Sequence, residues 1–68
     1  MSCKDIIRAL KKLGFYKVGG RGDHMKFAND KGMITVVPYR GSKQLAHGTI
    51  NAICKQVGVS KKELEKYF

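Results

Sequence analysis

Acidic residues are the scarcest of the charged side chains here. Five Asp and Glu stand against fourteen Lys and Arg in 68 residues, a formal net charge of +9. Tryptophan is absent, proline occurs once, and the two cysteines lie far apart at Cys3 and Cys54. Two cysteines make no disulfide framework. With no His or Cys at ligand spacing they make no zinc site either, so both are expected as reduced thiols. No apolar run approaches the roughly 20 residues that a membrane helix needs. Met1-Ser2-Cys3-Lys4-Asp5 opens a charged amphipathic pattern, which is not the start of a secretory signal. The expected compartment is the cytoplasm. Carboxylates are too few and too scattered to build a metal-dependent hydrolytic centre, and no cofactor motif is present. Repeats and low-complexity tails are also lacking.

What remains is one small domain, spanning residues 1–68, with 43% hydrophobic residues. A domain of this size buries only roughly 60% of the surface that its unfolded chain exposes. It is therefore marginal alone and open to stabilisation by a binding partner. The basic residues run along the whole chain, so the positive charge lies on the folded surface. Such a surface attracts polyanions, because neutralising phosphates releases condensed counterions. The spread of charge over predicted strands and loops favours nucleic acid over a membrane, which a single polybasic helix would suit better.

Ser2 and Asp5 resemble a capping box, and Ile6, Ile7, Leu10 and Leu13 follow at helical spacing, so a first helix is expected over about residues 2–13. Gly14 is its natural stop. Phe15-Tyr16-Lys17-Val18 suits a strand, and Gly19-Gly20-Arg21-Gly22 reads as irregular structure. His24-Met25-Lys26-Phe27 alternates polar and apolar, the period of a half-buried strand. Asn29 to Gly32 has turn chemistry, and Met33 to Val37 forms a third strand that ends at Pro38. Tyr39 to His47 reads as a loop. Ile50, Ile53, Cys54 and Val57 mark a second amphipathic helix, with Gly48 or Thr49 as its expected N-cap and Gly58 as its end. Ser60 and Glu63 open a short terminal helix through Leu64 and Tyr67. The fold class is α+β, α-β-β-β-α with a short extra helix. Its three-stranded antiparallel sheet carries helices on one face and leaves the other open.

Alternation puts Met25 and Phe27 toward the helices and His24 and Lys26 on the open face. The third strand is apolar on both sides. If Met33 and Val37 face inward, Ile34 and Val36 lie exposed, as in a protein contact. His24 stands out because imidazole exchanges protons near neutral pH and Lys26 on the same face can stabilise charge on a phosphoryl oxygen. Asp23 is expected to point away from His24 and to serve only as a turn carboxylate. His47 reads as a solvated loop residue. Gly19, Gly20 and Gly22 could offer backbone N–H groups to phosphate.

The chain resembles the HicA-type toxins, small mRNA interferases of toxin–antitoxin pairs. The resemblance rests on Gly14-Phe15, on Gly22-Asp23-His24-Met25-Lys26-Phe27, on Val37-Pro38-Tyr39-Arg40-Gly41-Ser42-Lys43-Gln44-Leu45, and on Gly48-Thr49-Ile50. It covers about residues 2–58. It implies a double-stranded-RNA-binding-domain-like fold, metal-independent endoribonuclease activity on mRNA, and a HicB-type antitoxin that covers the active site. The essential His of the family falls on His24. Lys17, Arg21, Lys26, Arg40 and Lys43 are expected to bind the RNA. Asp23, Met25 and Arg40 depart from the family pattern, standing where Ser or Thr, a second His, and His are common. Two other readings stay open: a non-catalytic RNA-binding module of the same fold, and an inactive homologue that binds protein through Ile34 and Val36. Oligomeric state is not readable from the residues.

Overall fold

A computed structural model describes residues 1–39 and 43–68. The elements run α1 (Cys3–Lys12), β1 (Tyr16–Arg21), β2 (His24–Ala28), β3 (Ile34–Pro38), α2 (His47–Val57) and α3 (Lys61–Glu65). The strands form one antiparallel sheet in the order β1-β2-β3. This is the expected α-β-β-β-α order with its short C-terminal helix.

Helix α1 starts where its capping chemistry says. The Ser2 hydroxyl accepts from the Asp5 N–H at 3.2 Å, and the Asp5 carboxylate accepts from the Ser2 N–H at 3.3 Å. Two donors that the helix cannot satisfy internally are thereby paired. Hydrogen bonding to the Asp5 carboxyl from Ser2, its side chain first and its backbone N–H second, holds that carboxyl below its usual pKa. Gly14 ends the helix at φ +94, and the Phe15 N–H turns back onto the Leu10 carbonyl at 2.9 Å.

Ile6, Ala9 and Leu10 of α1 meet Phe15, Phe27, Val37, Ile50, Ile53, Val57 and Leu64 in a single core. All three helices thus cover the same face of the sheet, the one that carries Phe27, Thr35 and Val37. Thr35 is the one buried polar residue described, and its hydroxyl donates to Gln56 Oε1 on α2 at 2.7 Å. Cys3 and Cys54 are both buried free thiols, and burial pushes the Cys54 thiol up from its ordinary pKa. The Cys3 thiol donates to the Pro38 carbonyl at 3.1 Å, which fixes the start of α1 against the exit of β3.

Several expectations are corrected. Gly19, Gly20 and Arg21 belong to β1 and pair with Lys26, Met25 and His24; only Gly22 and Asp23 make the turn. Gly22 has φ +60 and Asp23 a negative φ, the pattern of a two-residue hairpin with glycine in its first position. The register shifts between Lys17 and Gly19, a bulge that lets β1 continue through its glycines. Pro38 is the last residue of β3, where it lies on an edge strand that tolerates a missing N–H. Helix α2 begins at His47 with Ala46 as its N-cap and no capping side chain, one turn's fraction earlier than Gly48 or Thr49. Helix α3 closes at Glu65, and Tyr67 packs on the core from beyond it.

Candidate active site on the open sheet face

The strand registers decide which side chains share the open face. Residues directly opposite on neighbouring strands point to the same side of a sheet. His24 pairs with Arg21 on β1 and with Pro38 on β3, and Lys26 pairs with Gly19 and Val36. Arg21, His24, Lys26 and Val36 therefore share the uncovered face, with Ile34 beyond them. His24 and Lys26 are exposed, while Phe27 between the helices and the sheet is fully buried. Ile34 and Val36 are 48% and 41% exposed, so the inward residues of β3 are Thr35 and Val37. That resolves the strand whose two sides the sequence left equal.

Asp23 departs from its expected placement. Its carboxylate Oδ1 lies 3.1 Å from His24 Nδ1. Alternation had placed the two side chains on opposite faces, but Asp23 sits in the turn, where strand alternation does not hold. The pair is about half solvent-exposed, at 57% for His24 and 50% for Asp23, so it orients the ring more than it binds charge. A proton on Nδ1 directed at this carboxylate leaves the Nε2 lone pair facing outward.

Gly20 places the imidazole from behind. A Cβ built on it would stand 2.2 Å from the His24 carbonyl oxygen, closer than atoms can approach. Only glycine lets β1 run this near the backbone of His24, and φ +148 at Gly20 also favours glycine. A glycine inside a strand often marks such a close approach, and this signal was available in Gly19-Gly20. On the other side, the Tyr39 N–H donates to the Asp23 carbonyl, tying the turn to the exit of β3.

The remaining basic candidates divide. Arg21 and Lys26 flank His24. Lys17 pairs with the buried Phe27, so it belongs to the helix-covered side and projects past its edge into solvent. Lys43 is exposed on the connection from β3 to α2, with its carbonyl 3.8 Å from the Cys3 thiol. Arg40 lies outside the described residues. His47 is the first residue of α2, not a loop residue, and its Nδ1 is 3.4 Å from Lys61 Nζ. Among the described residues no three His, Cys, Asp or Glu side chains come together as a metal-ligand group, and no helix is long and apolar enough to cross a membrane.

A half-exposed histidine with an oriented ring, flanked by cations on a bare sheet, has the charge and exposure that a polyanion requires. The family model described as HicA toxin of bacterial toxin–antitoxin matches residues 3–59, most of the chain. The chain belongs to the HicA toxin family. It is the toxin of a toxin–antitoxin pair, and its partner is an antitoxin. No curated protein matches it at a significant level. The matched span runs from the Cys3 start of α1 past the end of α2, takes in the candidate residues around His24, and leaves only α3 of the elements outside.

Proposed function

We propose that this toxin is a metal-independent endoribonuclease that cleaves mRNA with His24 as its acid/base group. The observation that carries the reading is His24 itself: its imidazole stands on the open sheet face, oriented by Asp23 and flanked by Arg21 and Lys26. The chemistry is attack by an RNA 2′-hydroxyl on its adjacent phosphorus. His24 Nε2 removes the hydroxyl proton as the new P–O bond forms. The 5′-oxygen leaves and takes a proton from water or a lysine, giving a cyclic phosphate and a free 5′-hydroxyl. A positioned base supplies typically ~10²–10⁴-fold in such a step. Arg21 and Lys26 offset the charge that builds on the phosphoryl oxygens. No step in this scheme calls for a metal or a cofactor.

Binding of RNA is expected to fall steeply with salt, with a slope of about −0.7 per phosphate neutralised on a single strand. The antitoxin is read as HicB-type, placing acidic groups over His24 and Lys26 and sealing the open face. Such opposite charges would speed association and make it salt-sensitive. A cytoplasmic location fits a toxin whose substrate is mRNA. The deciding experiment incubates purified toxin and its His24→Ala variant with mRNA, and induces both in cells. Cleavage and growth arrest by the first alone supports the reading. Equal cleavage by both, with contaminating nuclease excluded, would remove His24 from the mechanism. RNA binding without cleavage by either would make the chain a non-catalytic RNA-binding module.

A further inference from the structure

A second cationic feature lies on the other side of the sheet from His24. Lys4, Arg8 and Lys11 of α1, at spacings of four and three, form one stripe along the helix. With Ile7, Met25 and Tyr39 they line an open cleft of about 430 Å³. All three cations are exposed, and among the described residues no acidic one lines the cleft. The neighbouring Asp5 carboxylate is engaged at the Ser2 cap. The rest of the lining, Ile7, Met25 and Tyr39, is largely apolar and includes an aromatic side chain. Cations beside an aromatic ring and apolar side chains fit a nucleotide, which brings a phosphate and a flat π-face together. An acidic peptide would use the cations but not the ring.

Two connections link this cleft to the candidate active site. Met25, on its wall, follows His24 directly in β2. Tyr39, on its other wall, donates its N–H to the carbonyl of Asp23, the residue that orients His24. The cleft and the histidine therefore meet at the same end of the sheet, one on each face. We infer that the α1 cleft is a subsite for a nucleotide flanking the scissile phosphate of single-stranded RNA, with its base against Tyr39 and its phosphate on Lys4, Arg8 and Lys11. The strand passes over His24 and turns round the end of the sheet into the cleft. This subsite rests on the ribonuclease reading for its substrate class, and the test separates the two.

The test measures fluorescence anisotropy of labelled single-stranded RNA on the His24→Ala protein, which binds without cleaving. Oligonucleotides of about four and about eight nucleotides are compared, the longer one spanning both faces. Replacing Arg8 and Lys11 together by Ala should weaken the longer RNA about tenfold or more and reduce its salt slope by roughly 1.4. The control is Lys55→Ala with Lys62→Ala, on α2 and α3, which removes the same charge and should change affinity by less than about threefold. Tyr39→Ala should lose roughly 5–100-fold, while Tyr39→Phe stays near the parent. Equal losses in the cleft and control pairs would reduce the effect to diffuse charge and overturn the subsite. So would cleft variants that bind RNA normally but lose the antitoxin, since the cleft would then hold an acidic segment of that partner. Absence of RNA binding by the protein with an intact cleft overturns it as well. His24-dependent cleavage alongside a neutral cleft would remove only the subsite. Selective loss of binding in the cleft variants, with no cleavage by the His24-bearing toxin, would remove only the catalytic reading.

Discussion

The two faces of this sheet are built from alternate residues of the same strands, yet they do opposite things. On the covered face Phe27, Thr35 and Val37 are almost wholly buried, and they hold three helices in place. On the open face His24, Lys26, Ile34 and Val36 are exposed and support no other element. A shift of one residue exchanges the two sets. In a domain with so little core, stability is concentrated on one side, which leaves the other free to hold chemistry. Changes to the two faces should therefore separate cleanly into losses of fold and losses of activity.

The widest contrast comes from two positions on the same strand, β2. Phe27→Ala should destabilise the toxin by about 3–5 kcal/mol, the usual cost of emptying an aromatic site. Circular dichroism and chemical denaturation should show it largely unfolded. His24→Ala, three residues away, should stay within about 0.5 kcal/mol of the parent, as exposed substitutions usually do. Its cleavage rate should instead fall by ~10²–10⁴-fold. A folded Phe27→Ala protein, or an unfolded His24→Ala protein, would break the division between the faces.

Smaller effects sharpen it. Ser2→Ala removes the cap of α1 and should cost about 1 kcal/mol. The Asp5 carboxyl, held below its ordinary pKa by Ser2, adds stability that is complete at neutral pH, where the carboxyl is ionised in both folded and unfolded chains. That contribution fades as the pH falls from the unfolded value toward the lower folded one. Denaturation curves run from neutral to about pH 3 should thus show a loss in the parent that is reduced in Ser2→Ala. Asp23→Asn belongs to the open face and should leave stability alone. Because the pair with His24 is half solvated, its loss should slow cleavage by no more than about fivefold. The least effect is expected from Thr35→Val. It deletes the hydrogen bond to Gln56, but Gln56 is exposed and can turn to water, so thermal melting should change by less than about 1 kcal/mol.

How far the residues reveal this arrangement depends on whether local pattern and tertiary need agree. In β2 they agree, since polar and apolar side chains alternate from His24 to Phe27, and the faces follow. In β3 every residue from Met33 to Val37 is apolar or Thr, and only the packing of α1 and α2 separates Thr35 and Val37 from Ile34 and Val36. At Gly19 and Gly20 the two conflict. Glycine is unfavourable in a strand by itself, and what retains Gly20 is the carbonyl of His24 on β2. The start of α2 at His47 leaves no mark in the residues, because Ala46 offers no capping side chain to read. The partnership of Asp23 with His24 is hidden for a related reason. Alternation holds only within the strand, and Asp23 lies in a turn that only the true end of β1 reveals.

The crowding at Gly20 has a genetic corollary. In a population forced to survive expression of the active toxin, escape should come by lesions that spare folding of the covered face as readily as by lesions that ruin it. His24 is one obvious target. Gly20 is the other, because any side chain there must push on the carbonyl of His24. Survivors carrying Ala, Ser or Asp at this position would produce a chain that remains folded and still bound by its antitoxin, yet harmless to its host. They would act as decoys that draw the antitoxin away from intact copies of the toxin.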